Sequence, residues 1–158
     1  MRNLITKLLV LSAFLLSTFV LASCGGSDVS ETSGTDSSPD DDKFVYIVKD
    51  GATDYNIIRS DFANRENVDV AVKLRRTIGD ACGVEPGITT DWEKNPVYEH
   101  EIIIGETLRE VNGVKIDRIA LGETGYNIKE VNGKIYIAGG SDKGTALACD
   151  YFIKTFVK

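Results

Sequence analysis

Three cysteines, one histidine, one tryptophan and a glycine-rich turn are the features of this chain whose residue types could do chemistry. The turn lies in KIYIAGGSDKGTALACDYF, residues 134 to 152, where an apolar strand runs through Gly139-Gly140 into a helical pattern. A phosphate-cradling loop needs Gly-Lys-Ser or Gly-Lys-Thr, so that backbone amides wrap the phosphate and the lysine reaches it. Here the order is Lys143-Gly144-Thr145, with the lysine ahead of the glycine. A dinucleotide fingerprint needs its helix to lead on to a parallel strand, and only Lys158 follows Val157. The expectation is a sharp corner at Gly139 and Gly140, a close helix approach at Gly144, and no nucleotide or other cofactor. Ser-His or Cys-His chemistry would depend on His100 alone. Glu99 and Glu101 flank it, but along a strand they point away from it, so no local metal cluster is expected.

The cysteines divide into one and two. Arg2 and Lys7 precede an apolar run from Leu8 to Val20, and the small residues Ala22 and Ser23 follow, which is the layout of a secretory signal peptide over residues 1–23. Leu21-Ala22-Ser23-Cys24 resembles the lipobox of bacterial lipoproteins. That resemblance implies that the Cys24 thiol carries a diacylglyceryl group and that Cys24 is the mature N-terminus. The run is short of the roughly 20 residues a transmembrane helix needs, whereas two acyl chains give stable anchoring. The expected location is therefore the cell membrane or outer membrane, lipid-anchored, on the extracytoplasmic face. Cys82 and Cys149 remain. Export permits a disulfide between them, but both sit on apolar stripes where a thiol packs as a small hydrophobe. The packed thiols are preferred, and the disulfide stays open as an alternative.

A net charge of -6 gives no counterion-release gain on nucleic acid, so neither DNA nor RNA is an expected partner. Residues 24–42 hold one aliphatic residue, Val29, among serines, glycines and six acids, and form an acidic disordered tether. The Asp40-Asp41-Asp42 run lacks the spaced ligands and glycine turn of a calcium loop. It reads as a solvated charge run.

Residues 43–158 must position the remaining candidates. Phe44 to Val48 reads as a central strand covered on both faces, and Asn56 to Arg59 as a short return strand. Ala71, Leu74, Ile78 and Ala81 recur at helical spacing, giving a helix over roughly 67 to 82 stopped by Gly83. Val84 to Val97 reads as a loop, Glu101 to Ile104 as a strand closed by Gly105, and Leu108 to Val111 as a helical turn. GYNIKEVNGKIYIAGG reads as a hairpin around Asn132-Gly133, with Ile128 opposite Ile137, Glu130 opposite Ile135 and Lys129 opposite Tyr136. A last helix starts after Ser141 and buries Ala148, Cys149, Phe152, Ile153 and Phe156.

EIIIGET at 101 to 107, followed by GYNIKEVNGKIYIAGGSDKGT at 125 to 145, resembles the small domain that precedes the catalytic barrel in α-glucuronidases and β-N-acetylhexosaminidases. The resemblance covers about residues 43 to 157. It implies an α+β glycoside-hydrolase accessory domain: a mainly antiparallel or mixed sheet with two main helices packed on one face. In those hydrolases the catalytic carboxylates belong to the barrel, and this chain ends where a barrel would begin, so no catalytic residue is carried over. The expected protein is a non-enzymatic surface lipoprotein that holds a protein partner. Two alternatives stand beside it: a carbohydrate-binding lipoprotein using the TTDWEKNP loop, with Trp92 stacking on a sugar and Asp91 and Tyr98 as polar companions, or a split or truncated hydrolase.

Overall fold

Asn56–Arg59 (β1) and Glu101–Ile104 (β3) place isoleucines on both faces of a sheet, and Ile57, Ile58, Ile102, Ile103 and Ile104 are all buried. Such two-sided burial is the mark of parallel strands with both faces covered. The computed structural model describes residues 8–9, 44–110 and 114–157. Around the two isoleucine-rich strands it arranges α1 (Arg65–Cys82), β2 (Gly87–Thr90), α2 (Arg118–Leu121), β4 (Tyr126–Val131), β5 (Lys134–Gly139) and α3 (Asp142–Phe156). The chain is thus mixed α/β, with a five-stranded sheet in the order β2-β1-β3-β5-β4.

Three of the four ladders are parallel: β1 with β2, β1 with β3, and β3 with β5. Only β4 and β5 pair antiparallel, as the hairpin. The sheet is thus mixed, as expected, but mainly parallel with an antiparallel edge rather than mainly antiparallel. The cause is α1, which returns the chain to the start of the sheet between β1 and β2. The hairpin keeps the expected register, Ile128 to Ile137, Glu130 to Ile135 and Lys129 to Tyr136. Asn132 and Gly133 adopt φ of 52° and 79° at its turn.

Both main helices lie on one face. Leu74 and Ile78 of α1 and Ala148, Cys149 and Phe152 of α3 pack with Ile57, Ile102, Ile104, Ile135 and Ile137. On the opposite face Ile58, Ile103 and Tyr136 are covered by Val114, with Tyr98 alongside. Asn64 caps α1, its side chain accepting from the Asn67 amide at 2.9 Å, so the helix starts two residues earlier than its apolar periodicity indicates. Gly83 ends it in the left-handed region at φ 77°.

Two strand assignments change. Gly87–Thr90 falls inside the expected loop yet forms the edge strand β2. Phe44–Val45 pairs with Leu8–Leu9 in a separate two-residue ladder, outside the five-stranded sheet. Ile47 and Val48 are buried against the helices instead of in a strand, because a turn at Asp50-Gly51 closes a Lys49 to Ala52 bridge at once. Leu108 and Arg109 form a turn without helix, and Val111 lies outside the described residues.

Candidate functional site

The carboxyl ends of β1, β2 and β3 open side by side, and ligands of open α/β sheets bind at that end. Ser60, Asp61 and Phe62 follow β1, Asp91 and Trp92 follow β2, and Glu106, Thr107 and Leu108 come just beyond β3. Together they line a cleft of about 400 Å³. An adjoining hollow of about 300 Å³ shares Ser60, Phe62 and Glu106 and extends to Asn64, Asn67 and Asp142 at the starts of α1 and α3.

Asp91 holds the cleft together. It is only 4% exposed, and its carboxylate accepts the Asp61 amide at 2.7 Å and the Leu108 amide at 2.8 Å. One side chain therefore ties the segments after β1 and β3 to the end of β2. With both oxygens engaged, Asp91 positions the loops and is no ready acceptor for a ligand hydroxyl. Beyond it, Trp92 is 47% exposed, Leu108 75% and Phe62 94%. The Trp92 turn is fixed by Asn95, whose amide donates to the Trp92 carbonyl at 2.8 Å and whose side chain donates to Thr89 and Thr90. The Lys94 ammonium lies 5.2 Å from the Trp92 ring centroid. An exposed indole with an apolar neighbourhood offers a flat face to the C–H side of a pyranose ring, and carboxylates at a rim accept hydroxyl protons.

Of the three residues expected to act together, Trp92 and Asp91 meet at the cleft and Tyr98 does not. Tyr98 packs on the opposite face of the sheet, and its amide donates to Glu101 Oε1 at 3.0 Å. Phe62 and Leu108 are the residues the sequence reasoning missed. Each is a lone apolar residue in a polar stretch, and only the β2-β1-β3 order brings them to Trp92.

The amides of the three glycines at the turn are spent within the fold. The Gly139 amide donates to Thr145 Oγ1 at 3.0 Å, Gly140 to the Gly125 carbonyl at 3.0 Å, Gly144 to Ser141 Oγ at 3.2 Å and Thr145 to the Ser141 carbonyl at 2.9 Å. The first residue of α3, Asp142, accepts from Asn64 and Asn67 at 2.6 Å each. A Cβ on Gly140 would stand 2.0 Å from the Gly122 carbonyl oxygen, so close backbone approach explains the glycine.

His100 sits at the amino end of the sheet, its ring 5.2 Å from that of Tyr55 and its Nδ1 3.4 Å from the Gly133 carbonyl oxygen. Glu101 points to the other face and is fully buried, bonded to Lys134 Nζ at 2.6 Å with Arg109 Nε at 3.7 Å. Cys149 is buried in the core, and burial, with Asp150 beside it, pushes its thiol up to about 12 against the opposing pull of Lys73. No disulfide joins it to the half-buried Cys82. Cys24 lies outside the described residues, as do the expected signal peptide, save Leu8–Leu9, and the tether. Among the described residues, no group of three or more His, Cys, Asp and Glu could hold a metal ion, and no helix is long and apolar enough to cross a membrane. Compared with known proteins, the chain matches no protein-family model and no curated protein.

Proposed function

We propose that this chain is a lipid-anchored, extracytoplasmic glycan-binding module, built on a domain similar to the accessory domain of glycoside hydrolases and performing no hydrolysis itself. The observation that carries the proposal is the half-exposed Trp92 over a cleft at the carboxyl ends of β1, β2 and β3, with Phe62 and Leu108 exposed beside it. A cleft of about 400 Å³ is within the range that holds a small ligand. Titrating the full chain with cell-wall and plant oligosaccharides while following Trp92 fluorescence tests it. Saturable quenching is expected, and Trp92→Ala should weaken binding, read by calorimetry, by about tenfold or more, the usual worth of one stacking aromatic. A flat response across the panel refutes it. Anchoring is tested separately: Cys24→Ala should abolish acyl labelling and release the protein from membranes, and labelling that persists refutes the anchor.

A scaffold for a protein partner is the second reading. The observation favouring it is the outer edge of β4, which has no partner strand among the described residues and begins at Tyr126, whose ring lies 5.9 Å from that of Tyr151. Exposed strand edges are templates for strand addition.

A further inference from the structure

Resting on the scaffold reading and its free β4 edge, we propose that the protein partner is a second copy of this chain, joined by antiparallel pairing of β4 with β4 across a two-fold axis at Ile128. Val131 and Lys134 flank a two-residue turn and so exchange both their hydrogen bonds, and the exchange recurs at every second residue, Lys129 with Tyr136 and Asn127 with Ala138. The amides and carbonyls of Tyr126, Ile128 and Glu130 therefore point away from β5, to the side of β4 that has no strand among the described residues. A two-fold copy must set these three residues against its own three. With Ile128 on Ile128, Tyr126 faces the copy's Glu130 and Asn127 the copy's Lys129, so apolar meets apolar while a hydroxyl and an amide meet the charges. Sliding the register by one pair one way opposes Lys129 to itself, and sliding it the other way shortens the ladder. At the other edge of the sheet β2 is shorter, and its Thr90 carbonyl is already taken by the Asn95 side chain.

The helix above that edge supplies an independent observation. Pairing of this parity keeps the residues of one face together, so α3, packed on β5 and β4, comes to lie beside its copy on one side of the joined sheet. Strands about 4.8 Å apart put a helix seated over β4 and β5 about 5 Å from the axis and the two helices about 10 Å apart, an ordinary packing distance. Gly144 abuts the Gly125 carbonyl, since a Cβ there would stand 2.6 Å from that oxygen. From Gly125 to Ile128 is about 10 Å of strand, or about seven helical residues, which brings Tyr151 level with the axis. Tyr126 and Tyr151, with rings 5.9 Å apart, are 37% and 48% exposed, and Leu147, one turn along α3, is 42% exposed. The strand register and the exposed helix residues therefore select the same axis.

Sedimentation of the full chain against concentration, with amide exchange followed residue by residue, tests this. A ladder of this length with one helix flank is a small interface, so a Kd on the order of 10 μM is expected. The Tyr126, Ile128 and Glu130 amides should slow as the dimer fills, while those of Asn127, Lys129 and Val131 are slow throughout. Tyr151→Glu and Tyr151→Lys should each weaken association about tenfold or more, and mixing the two should restore it, because the residue meets its own copy. A monomer at every concentration with the three outer amides fast overturns the second copy and leaves the edge open to another strand. Outer amides already slow in the monomer overturn the free edge as well. A dimer in which they stay fast, or a mixture of the two variants that does not associate, overturns this interface. The Trp92 cleft lies across the sheet at β1, β2 and β3, so none of these results bears on glycan binding.

Discussion

Glu101 is the most consequential buried charge among the described residues, and removing it should cost far more than removing a surface acid. Its side chain is fully buried, while those of Lys134 and Arg109, at 2.6 and 3.7 Å, are 20% and 11% exposed. At an effective dielectric near 20 those separations correspond to gross attractions of about 6 and about 4 kcal/mol, before desolvation is counted. Breaking a buried pair by deleting one partner typically costs about 3–5 kcal/mol, because the other charges stay buried without compensation. Glu101→Ala also strips the Tyr98 amide of its acceptor. A loss of about 3–5 kcal/mol in urea unfolding is therefore expected, out of a total of about 5–15 for a domain. The comparison that isolates the cause is Glu101→Leu with Lys134→Met and Arg109→Met. Replacing a whole buried ionic cluster by apolar side chains is often neutral, so this variant should be more stable than Glu101→Ala and fall short of the parent only by the lost hydrogen bonds to the Tyr98 amide and the Pro96 carbonyl, about 1–3 kcal/mol. If Glu101→Ala alone stays within about 1 kcal/mol, the cluster behaves like an exposed ion pair and the buried-charge argument is wrong. If the triple variant is as unstable as the single one, shape and not charge is what Glu101 supplies.

Alkaline pH should unfold the protein through Cys149 and Tyr55. Burial is the main cause of both shifts, holding Cys149 at about 12 against an ordinary 9.0 and Tyr55 at about 12 against 10.0, with Glu130 adding to the Tyr55 shift. The unfolded chain then releases protons that the folded chain retains, so stability is full below pH 9 and falls on the order of a few kcal/mol as pH rises toward 12. Urea midpoints across that window check this, and Cys149→Ala should flatten its lower part. A stability independent of pH from 9 to 12 would contradict the burial of both groups. Glycine substitutions should separate two kinds of turn. Gly83→Ala meets nothing within 4 Å and should cost only about 1 kcal/mol for its positive φ. Gly140→Ala would place Cβ 2.0 Å from the Gly122 carbonyl oxygen and should cost at least about 1–3 kcal/mol, with chemical-shift changes at residues 118–125. Equal costs would refute the close-approach account.

What was legible in the sequence was local. The hairpin register follows from Asn132-Gly133 and period-two alternation, and α3 from Ser141 as cap and one apolar stripe. Each signal is contained within a few consecutive residues. The parallel ladders have no such signal, since a parallel pair is joined by a distant crossover rather than a turn. β2 was hidden because GITT carries one isoleucine on an edge strand behind Pro86-Gly87, a pattern that also fits a loop. Conversely, Phe44 to Val48 has a strand's composition but spends Ile47 and Val48 on packing against the helical face. At the site, Trp92 was legible as a lone exposed-loop aromatic, whereas its grouping with Tyr98 relied on sequence proximity. Pro96 and the Tyr98 amide bond to Glu101 carry that residue to the other face.

The same topology explains which acids are available to a ligand and which way they face. Helices α1 and α3 both begin at the carboxyl end of the sheet, where their amino termini favour negative charge. Asp142 meets that demand in the first turn of α3, held by Asn64 and Asn67. Asp91 meets another by closing the loops around β1, β2 and β3. Acids beyond these two are not required by the fold, and Asp61, Glu93 and Glu106 are the ones left around Trp92. At the opposite end, Val45 and Tyr46 line a hollow of about 350 Å³ with Tyr55, His100 and Gly133, the residues just ahead of β1, β3 and β5. The chain therefore enters the domain at the amino end of the sheet, and the cleft opens at the carboxyl end. The direction of the cleft is thus a property of strand polarity, set by the parallel ladders rather than by the loop that carries the tryptophan.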